Sequence, residues 1–198
     1  MCPGSFVICR RESSTKVTIP TITTARLTLR PFTPDDLDAM YEILNQEGVL
    51  RYFPPADPPT RDRVEGMIRR LLGHWEERGY GLWAVEAEAD GALMGRCGLQ
   101  YLPDTDEVEV DFILGRPFWG QGFATEAARA SVRYGFEELG IESIAGIAHV
   151  ENHGSQRVLE KLGMDRVEQK DFFGMECYRY LVDSESYHRA ARLWETGA

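Results

Sequence analysis

The sequence predicts a single domain of mixed α/β (α+β) class, in which helices cover both faces of a central mixed sheet of six to seven strands. Three observations lead to this prediction. The run Glu107–Leu114 alternates apolar and acidic residues with the period of a strand. The next segment, as far as Leu139, places apolar residues at the period of a helix. The chain has 198 residues, 43% of them apolar, which is enough for one buried core without internal repeats or linkers.

The first half of the chain is predicted to form a strand, two helices and a three-stranded meander. An alternating strand covers residues 21–32, and Thr33 followed by proline is typical of the start of a helix. The second helix begins after Thr60, keeps its apolar residues at helical spacing and ends at Gly79. The pair Asp90-Gly91 predicts a type I′ hairpin. The strands of the meander are predicted at 82–88, 92–101 and 107–114.

The second half is predicted to add a helix, a strand parallel to Glu107–Leu114, a short helix, two further strands and a terminal helix. The parallel arrangement follows from the strand–helix–strand connection. The complete order up to the last strand is β-α-α-β-β-β-α-β-α-β-β. The strands are predicted at 143–149, 164–168 and 173–182, and the terminal helix at 184–194.

Composition excludes several classes of function. A net charge of −10 argues against a nucleic-acid-binding protein, which needs a basic surface. The four cysteines form no zinc-binding spacing, so we expect free thiols and no metal site. No apolar run is long enough to span a membrane, and we expect a cytoplasmic protein. Residues 1–20 are predicted to be a flexible extension of a domain that covers 21–198.

A glycine-rich turn joins the strand Glu107–Leu114 to the helix that follows it. Gly120 and Gly122 let the backbone approach a ligand closely, and the N–H groups at the start of a helix attract phosphate. A dinucleotide-binding turn is one alternative, but Thr125 stands where that motif has its last glycine, and the following strand ends in His149 instead of an acidic residue. The turn is predicted to bind a pyrophosphate of another kind, and the alternative is a tight strand–helix turn that only needs glycine.

The segment Trp119–Ala124 resembles the acyl-coenzyme A loop of the GNAT superfamily of N-acetyltransferases, Gln/Arg-x-x-Gly-x-Gly/Ala. Trp119 departs from the first position in the way that is familiar in the branch similar to the RimJ/RimL ribosomal-protein acetyltransferases. A second signature of that branch is matched by 152–164. The order of elements also resembles that of the superfamily, over roughly residues 22–182.

This resemblance implies an enzyme that transfers an acetyl group from acetyl-CoA to a primary amine by direct attack. The amine acceptor would be a small molecule or a protein N-terminus, and the enzyme a monomer or homodimer. A non-catalytic acyl-CoA-binding module on the same fold is the alternative. The residues that the resemblance assigns to coenzyme A are Phe112, Ile113, Leu114, Gln121, Gly122, Phe123, Ala124, Thr125, Asn152 and Ser155.

Two residues are predicted to carry the chemistry. Glu109 matches the strand position where the family keeps a carboxylate that deprotonates the amine, and a carboxylate inside a sheet covered on both faces is costly without such a purpose. The alternative is that it belongs to the polar side of the strand. Ser155 matches the position that donates a proton to the leaving thiolate, and the alternative is a first-turn serine. The reserve candidates are His149 and Glu176 for the base and Tyr178 for the proton donor.

Further positions are open to two interpretations. Asn152 either contacts the pantetheine arm of coenzyme A or caps the helix that follows, and it can do both. The oxyanion is expected to meet backbone N–H near Ile113. Arg51, Tyr52 and Phe53 are candidates for the acceptor wall, with packing as the alternative for the two aromatic residues.

Overall fold

The structure is a computed structural model, which describes residues 17–54 and 56–196. Most of the predicted N-terminal extension, residues 1–20, lies outside the described residues. Two of its described residues belong to the fold. Ile19 packs against the core, and the carbonyl of Pro20 accepts a hydrogen bond of 2.8 Å from Trp83 Nε1.

The predicted sheet with helices on both faces is confirmed, and the described residues form a single sheet of eight strands in the order β1-β2-β3-β4-β5-β6-β8-β7. The pair β5–β6 is parallel, as predicted, and the other pairs are antiparallel. The strands are β1 Ile22–Thr23, β2 Leu27–Arg30, β3 Leu82–Ala87, β4 Leu93–Leu102, β5 Glu107–Leu114, β6 Ser143–His149, β7 Asp165–Phe172 and β8 Met175–Asp183.

The sheet has one or two strands more than predicted because the first predicted strand is a small hairpin. The chain turns after Thr24, whose N–H donates to the carbonyl of Leu27 at 2.8 Å. The hydroxyl of Thr24 accepts the N–H of Leu27 at 3.1 Å. Ile22 therefore pairs with Leu29 of the same segment. The apolar alternation changes phase between Ile22 and Leu27, which are five residues apart, and this change marks the break that the prediction of one strand missed.

The type I′ turn predicted at Asp90-Gly91 is wrong, although the hairpin β3–β4 is present. Of these two residues Gly91 has a positive φ, +72°, whereas a type I′ turn needs a positive φ at both central residues. The N–H of Ala87 donates to the carbonyl of Ala92 and the N–H of Gly91 donates to the carbonyl of Ala87, each at 2.9 Å. The loop therefore has four residues and closes through Gly91.

The helices largely confirm the predicted starts and stops. Thr60 accepts the N–H of Arg63 at the start of α2, and Gly79 ends that helix in the left-handed conformation with φ +75°. The predicted helix after Thr33 begins with a 3₁₀ turn, Pro34–Asp36, before α1. The helices are α1 Leu37–Leu44, α2 Arg61–Arg78, α3 Phe123–Glu137, α4 His153–Lys161 and α5 Ser184–Thr196.

Two apolar layers fix the sheet between the helices. Residues of α3, α4 and α5 pack on one face, and residues of α1 and α2 pack on the other. Trp75 of α2 was predicted to be core, and it is 1% exposed. Its ring lies on Gly81, where an added Cβ would come within 2.5 Å of the indole. This contact holds α2 against the start of β3.

Candidate active site

The strands β5 and β6 part in the middle of the sheet. In the described residues their register consists of one pair, Glu109 with Ala145. The next inward N–H of β6, that of Ile147, donates to Oε1 of the Glu109 side chain at 3.2 Å. A carboxylate thus occupies the place where the main-chain ladder would continue. Beyond Glu109 the two strands leave a gap through the sheet.

A cavity of about 230 Å³ lies at this gap. It brings together four residues predicted to carry the chemistry or to bind coenzyme A: Glu109 and Phe112 of β5, and Asn152 and Ser155 at the start of α4. The cavity is therefore bounded by the strand with the candidate base and by the helix with the candidate proton donor. The other residues lining it are Tyr52, Phe53, Pro54, Arg96, Gln100, Val110, Asp111, Ile147, Ala148, His149, Phe173, Met175 and Cys177.

Three carboxylates of β5 share one face of the sheet, and two of them are ion-paired with an arginine side chain. Glu107 is ion-paired with Arg179, and Asp111 with Arg96. Glu109 lies between them and has no ion pair among the described residues. Its Oε2 accepts a hydrogen bond of 2.8 Å from Gln100 Nε2, so both of its oxygens are held by neutral donors.

These surroundings shift the pKa values of Glu107 and Glu109 in opposite directions. The hydrogen bonds from Arg179 hold the pKa of Glu107 below its ordinary value. Burial, with the charge of Asp111 as a second cause, raises the pKa of Glu109 to about 8. Glu109 is 6% exposed and lines the cavity. A buried carboxyl whose pKa is moved toward neutrality is suited to accept a proton there.

The start of α4 holds Asn152 and Ser155 against the cavity. Oδ1 of Asn152 accepts the N–H of Ser155 at 3.1 Å. The predicted N-cap is therefore confirmed, and it uses only the amide oxygen. The Nδ2 group of the same side chain is a second polar group with which Asn152 can contact a ligand. The predicted contact with the pantetheine arm of coenzyme A is therefore compatible with the cap.

The glycine-rich turn has the backbone that a phosphate-binding loop needs. Gly120 and Gly122 have φ of +73° and +83°, in the left-handed region that favours glycine. The N–H of Glu126 donates to the carbonyl of Gly122 at 3.0 Å, at the start of α3. The first N–H groups of the helix have no intrahelical acceptor, so they and the helix dipole are available to an anion. The residues present thus fit a bound pyrophosphate.

An ion pair that sequence reasoning missed fixes this turn to the first hairpin. Arg26 pairs with Glu126 of α3 through Nη2 at 2.6 Å, and its Nη1 donates to the carbonyl of Gln121 at 3.0 Å. The guanidinium lies 4.3 Å from the centre of the Phe123 ring. The two partners are 100 residues apart in sequence, so no local pattern indicates the contact. Arg26 thereby holds the loop and the first turn of α3 together.

The register of β5 indicates which backbone N–H near Ile113 faces the gap. The N–H of Gly115 donates to the carbonyl of Met94 in β4 at 2.8 Å. Since backbone groups alternate in direction along a strand, the N–H of Ile113 also faces β4, and that of Phe112 faces the gap. The Ile113 side chain is buried in the layer with α1 and α2. The carbonyl of Leu114 accepts Trp119 Nε1 at 2.7 Å, which ties the strand end to the loop.

Of the three reserve candidates, one lines the cavity. His149 does so, and its ring stacks on Tyr52 with 4.8 Å between centroids. Its Nδ1 accepts the N–H of Glu151 at 3.1 Å. Glu176 is exposed and accepts a hydrogen bond from Gln169, and Tyr178 lies beneath the Arg166 guanidinium. Neither of these two contributes to the cavity wall.

Two of the three candidates for the acceptor wall lie at the cavity. Tyr52 and Phe53 line the cavity, whereas Arg51 is exposed and faces Glu151 at 3.9 Å. The opposite wall includes Phe173, a residue that was not singled out from the sequence. It is 51% exposed and has a φ of +57°, which is unfavourable for a bulky side chain. An aromatic ring thus lines the cavity despite an unfavourable backbone conformation at that residue.

The described residues contain no cluster of three or more His, Cys, Asp or Glu side chains able to hold a metal ion. No helix within the described part is long and apolar enough to cross a membrane.

The profile of the Acetyltransferase (GNAT) domain matches residues 26–165 of the chain. The chain belongs to the GNAT family of acetyltransferases. The GNAT enzymes use acetyl-CoA, and this one is an acetyl-CoA-dependent N-acetyltransferase. The matched region contains the gap, the glycine-rich turn and the start of α4.

Individual relatives agree with this assignment. The acetyltransferase is 33% identical over 150 residues to the uncharacterized protein YkkB of Bacillus subtilis, with 72% of this chain and 84% of the relative covered. It is 32% identical over 158 residues to the FsC-acetyl coenzyme A-N(2)-transacetylase of Aspergillus fumigatus, with 75% and 66% covered. The fold is also that of the crystal structure of an acetyltransferase (GNAT family) from Bacillus anthracis, with a TM-score of 0.74, 24% identity, and 84% and 99% covered.

Proposed function

We propose that this acetyltransferase binds acetyl-CoA across the gap between β5 and β6 and acetylates a primary amine that enters the cavity beside Glu109. The observation that carries the proposal is the single unpaired carboxylate at the point where the two strands part. Glu109 is buried, has no ion pair among the described residues and faces a cavity that also contains Ser155. An isolated buried carboxyl is expensive for the fold, and a role in proton transfer accounts for it.

In this proposal the chain supplies two binding regions for the cofactor. The N–H groups of 121–125 at the start of α3 hold the pyrophosphate. The side chains of Asn152 and Ser155 and the backbone of 112–114 hold the arm that carries the thioester. Acetyl-CoA, when bound, provides the activated acyl group.

Glu109 accepts the proton of the incoming amine at a carboxylate oxygen, directly or through water. Amines have a pKa of roughly 8 to 10, so a carboxyl with a raised pKa is better matched to this transfer than an ordinary one. Ser155 donates a hydrogen bond toward the leaving sulfur, which takes its proton from water, because a serine hydroxyl is too weak an acid to supply that proton itself. The N–H of Phe112 faces the gap and is available to the thioester oxygen.

The raised pKa of the Cys177 thiol supports direct attack by the amine on the thioester, without an acylated enzyme. Cys177 lines the cavity and is the group that a covalent route would use. Burial raises the pKa of the Cys177 thiol to about 11, and the thiol form is a poor nucleophile. Direct transfer is therefore the route that these residues favour.

We also propose that the enzyme belongs to the RimJ/RimL-like branch, because the loop has Trp119 followed by Gly120, Gly122 and Ala124. The acetyltransferase domain is proposed to begin at Ile19, two residues before the predicted start, because Ile19 and Pro20 contact the core.

A panel of amines, with thiol release from acetyl-CoA as the readout, tests the proposal. Small-molecule amines and peptides with free N-termini are assayed in parallel, and acetyl-CoA binding is measured by calorimetry. We expect saturable binding and acetylation of at least one amine class. Binding of acetyl-CoA without acetylation of any amine would favour the non-catalytic module, and absence of binding would reject the proposal.

A further inference from the structure

A second cavity adjoins the one beside Glu109. It has a volume of about 290 Å³ and lies between α1, the following loop, α2 and the strands β4 and β5. Phe53, Pro54 and Arg96 line both cavities. An acceptor that places its amine beside Glu109 can therefore extend past these three residues into the second cavity.

The second cavity has a positive rim in a protein of net charge −10. Its lining contains Arg63, Arg70 and Arg96 but a single carboxylate, that of Asp57. Arg63 and Arg70 lie seven residues apart on α2 and so project from the same side of the helix. Neither of them has an ion pair among the described residues, which distinguishes them from their neighbour Arg69.

Arg69 serves as a comparison, because it belongs to the same helix but does not border the cavity. It faces Glu65 at 3.6 Å, one helical turn away, and it does not line the cavity. Of the five arginines of the helix, Arg61 and Arg69 have carboxylate partners, and Arg78 lies over the Tyr101 ring. Arg63 and Arg70 border the cavity and have no ion pair among the described residues. This difference singles out Arg63 and Arg70 as cations available to a ligand.

Arg96, which lines both cavities, provides independent evidence for an anion-binding site. Its side chain is 12% exposed and is ion-paired with Asp111 through Nη1. Its Nε is buried and has no hydrogen-bond partner among the described residues. A buried guanidinium N–H without an acceptor is costly, and an oxygen of a bound anion can satisfy it.

The remainder of the lining is apolar and suits a hydrocarbon segment. Both cavities are of the size of small-molecule sites or somewhat below it. A compact molecule with an amine at one end and an anion at the other therefore matches them better than a peptide chain does. The apolar residues are Leu44, Leu50, Val64, Met67 and Ile113.

We propose that the acceptor is a small amine that also carries a carboxylate, with the amine beside Glu109 and the carboxylate at Arg63 and Arg70, over Arg96. The proposal rests on the proposed function and specifies its substrate class. The two arginines recognise the carboxylate by charge-assisted hydrogen bonds, and the apolar lining holds the carbons between the two ends.

The test compares each amino acid with its own carboxamide, which keeps the amine and the size but removes the negative charge. Glycine, β-alanine, γ-aminobutyrate and leucine are each assayed against the corresponding amide. We expect kcat/KM to favour at least one carboxylate by about ten- to a hundred-fold, the scale of one charge-assisted contact. The preference should appear in KM more than in kcat, because the contact is remote from the reacting atoms.

The double variant Arg63→Gln/Arg70→Gln should abolish this preference, because kcat/KM for the carboxylates should fall to the value for the corresponding carboxamides. Arg69→Gln is the matched control on the same helix and should keep the preference. Calorimetric titration of the preferred amino acid into the CoA-bound enzyme gives a second readout, in which the double variant should bind more weakly than the control.

Equal use of acids and amides would overturn the inference, as would a preference that survives in the double variant. Faster acetylation of an acidic peptide N-terminus than of any free amino acid would indicate that the positive rim binds a protein substrate. That result would also reject the inference. In each of these cases continued binding of acetyl-CoA and acetylation of neutral amines would leave the proposed function intact. Loss of the proposed function would show instead as the absence of acetyl-CoA binding in the unaltered enzyme.

Discussion

Replacing Glu109 with glutamine removes a base from the centre of the gap while it keeps the local contacts. Glutamine retains an oxygen that can accept the N–H of Ile147, which in the unaltered protein donates to Oε1 of Glu109 at 3.2 Å. The Gln100 amide can turn to present its oxygen to the new Nε2 group. The substitution is therefore nearly isosteric, and we expect the fold to be preserved.

The expected kinetic effect follows from the role of the carboxylate. Loss of a general base lowers kcat by about 10²- to 10⁴-fold. The deficit of Glu109→Gln should shrink as pH rises, because a growing share of the amine then arrives neutral. In the unaltered enzyme kcat/KM should rise through the raised pKa of Glu109, about 8, and the variant should lack this step. The assay is kcat/KM against pH for both forms with any accepted amine.

Stability gives a second readout with a defined sign. Burial raises the pKa of Glu109 in the folded protein, so the folded state holds this proton more tightly than the unfolded chain does. The contribution of Glu109 to stability is therefore present in acid and is lost as pH rises from its ordinary pKa to the raised one. Glu109→Gln should melt at the same or a higher temperature than the unaltered protein at neutral pH.

Glu107→Gln is the matched control, two residues away on the same face. It should keep kcat, because Glu107 does not line the cavity. The pKa of Glu107 is lowered by Arg179, so its stabilising contribution is present above its ordinary pKa and is lost in acid. This variant should therefore melt at a lower temperature at neutral pH. Parallel pH profiles of equal height for Glu109→Gln and the unaltered enzyme would refute the assignment of Glu109 as base and move the search to His149.

Three further substitutions test other parts of the site. Asn152→Asp keeps a cap for the Ser155 N–H, so melting should not change, whereas Kd for acetyl-CoA should rise about ten-fold through the loss of one donor; an unchanged Kd would remove the Asn152 amide from the cofactor site. Cys177→Ala should keep kcat, and mass spectrometry should find no acetylated protein; a lost activity together with an acetylated thiol in the unaltered enzyme would indicate a covalent route. Phe173→Asn should melt no lower, since Asn tolerates its φ of +57°, and should raise KM for the amine; a rise in KM for acetyl-CoA alone would place the ring on the cofactor side.

The sequence predicted the elements that carry the site better than it predicted their contacts. The alternation of β5 correctly placed Glu107 and Glu109 on one face, because side-chain direction in a strand depends only on neighbouring residues. Which of the two carboxylates is neutralised depends on Arg179, which is 72 residues from Glu107. No local pattern contains that information.

The same limit explains why the oxyanion donor could be predicted only as near Ile113 and why the second cavity was not predicted. The direction of the Ile113 N–H depends on the register of β5 against β4, and one residue of register reverses it. The arginines of α2 were not singled out from the sequence. Only the packing of α2 over Arg96 showed that two of them border a cavity.

The most direct test of the account is calorimetric titration of acetyl-CoA into the unaltered protein and into Gly122→Glu. The substitution places bulk and negative charge where the pyrophosphate is proposed to lie. Because Gly122 has a positive φ of +83°, the control is Gly140→Glu, at a positive φ of +65° beyond the other end of α3 with no atom within 4 Å of the added Cβ. The account predicts saturable binding to the unaltered protein and to Gly140→Glu, and none to Gly122→Glu. Equal binding by all three proteins, or heat from NADH but not from acetyl-CoA, would contradict it.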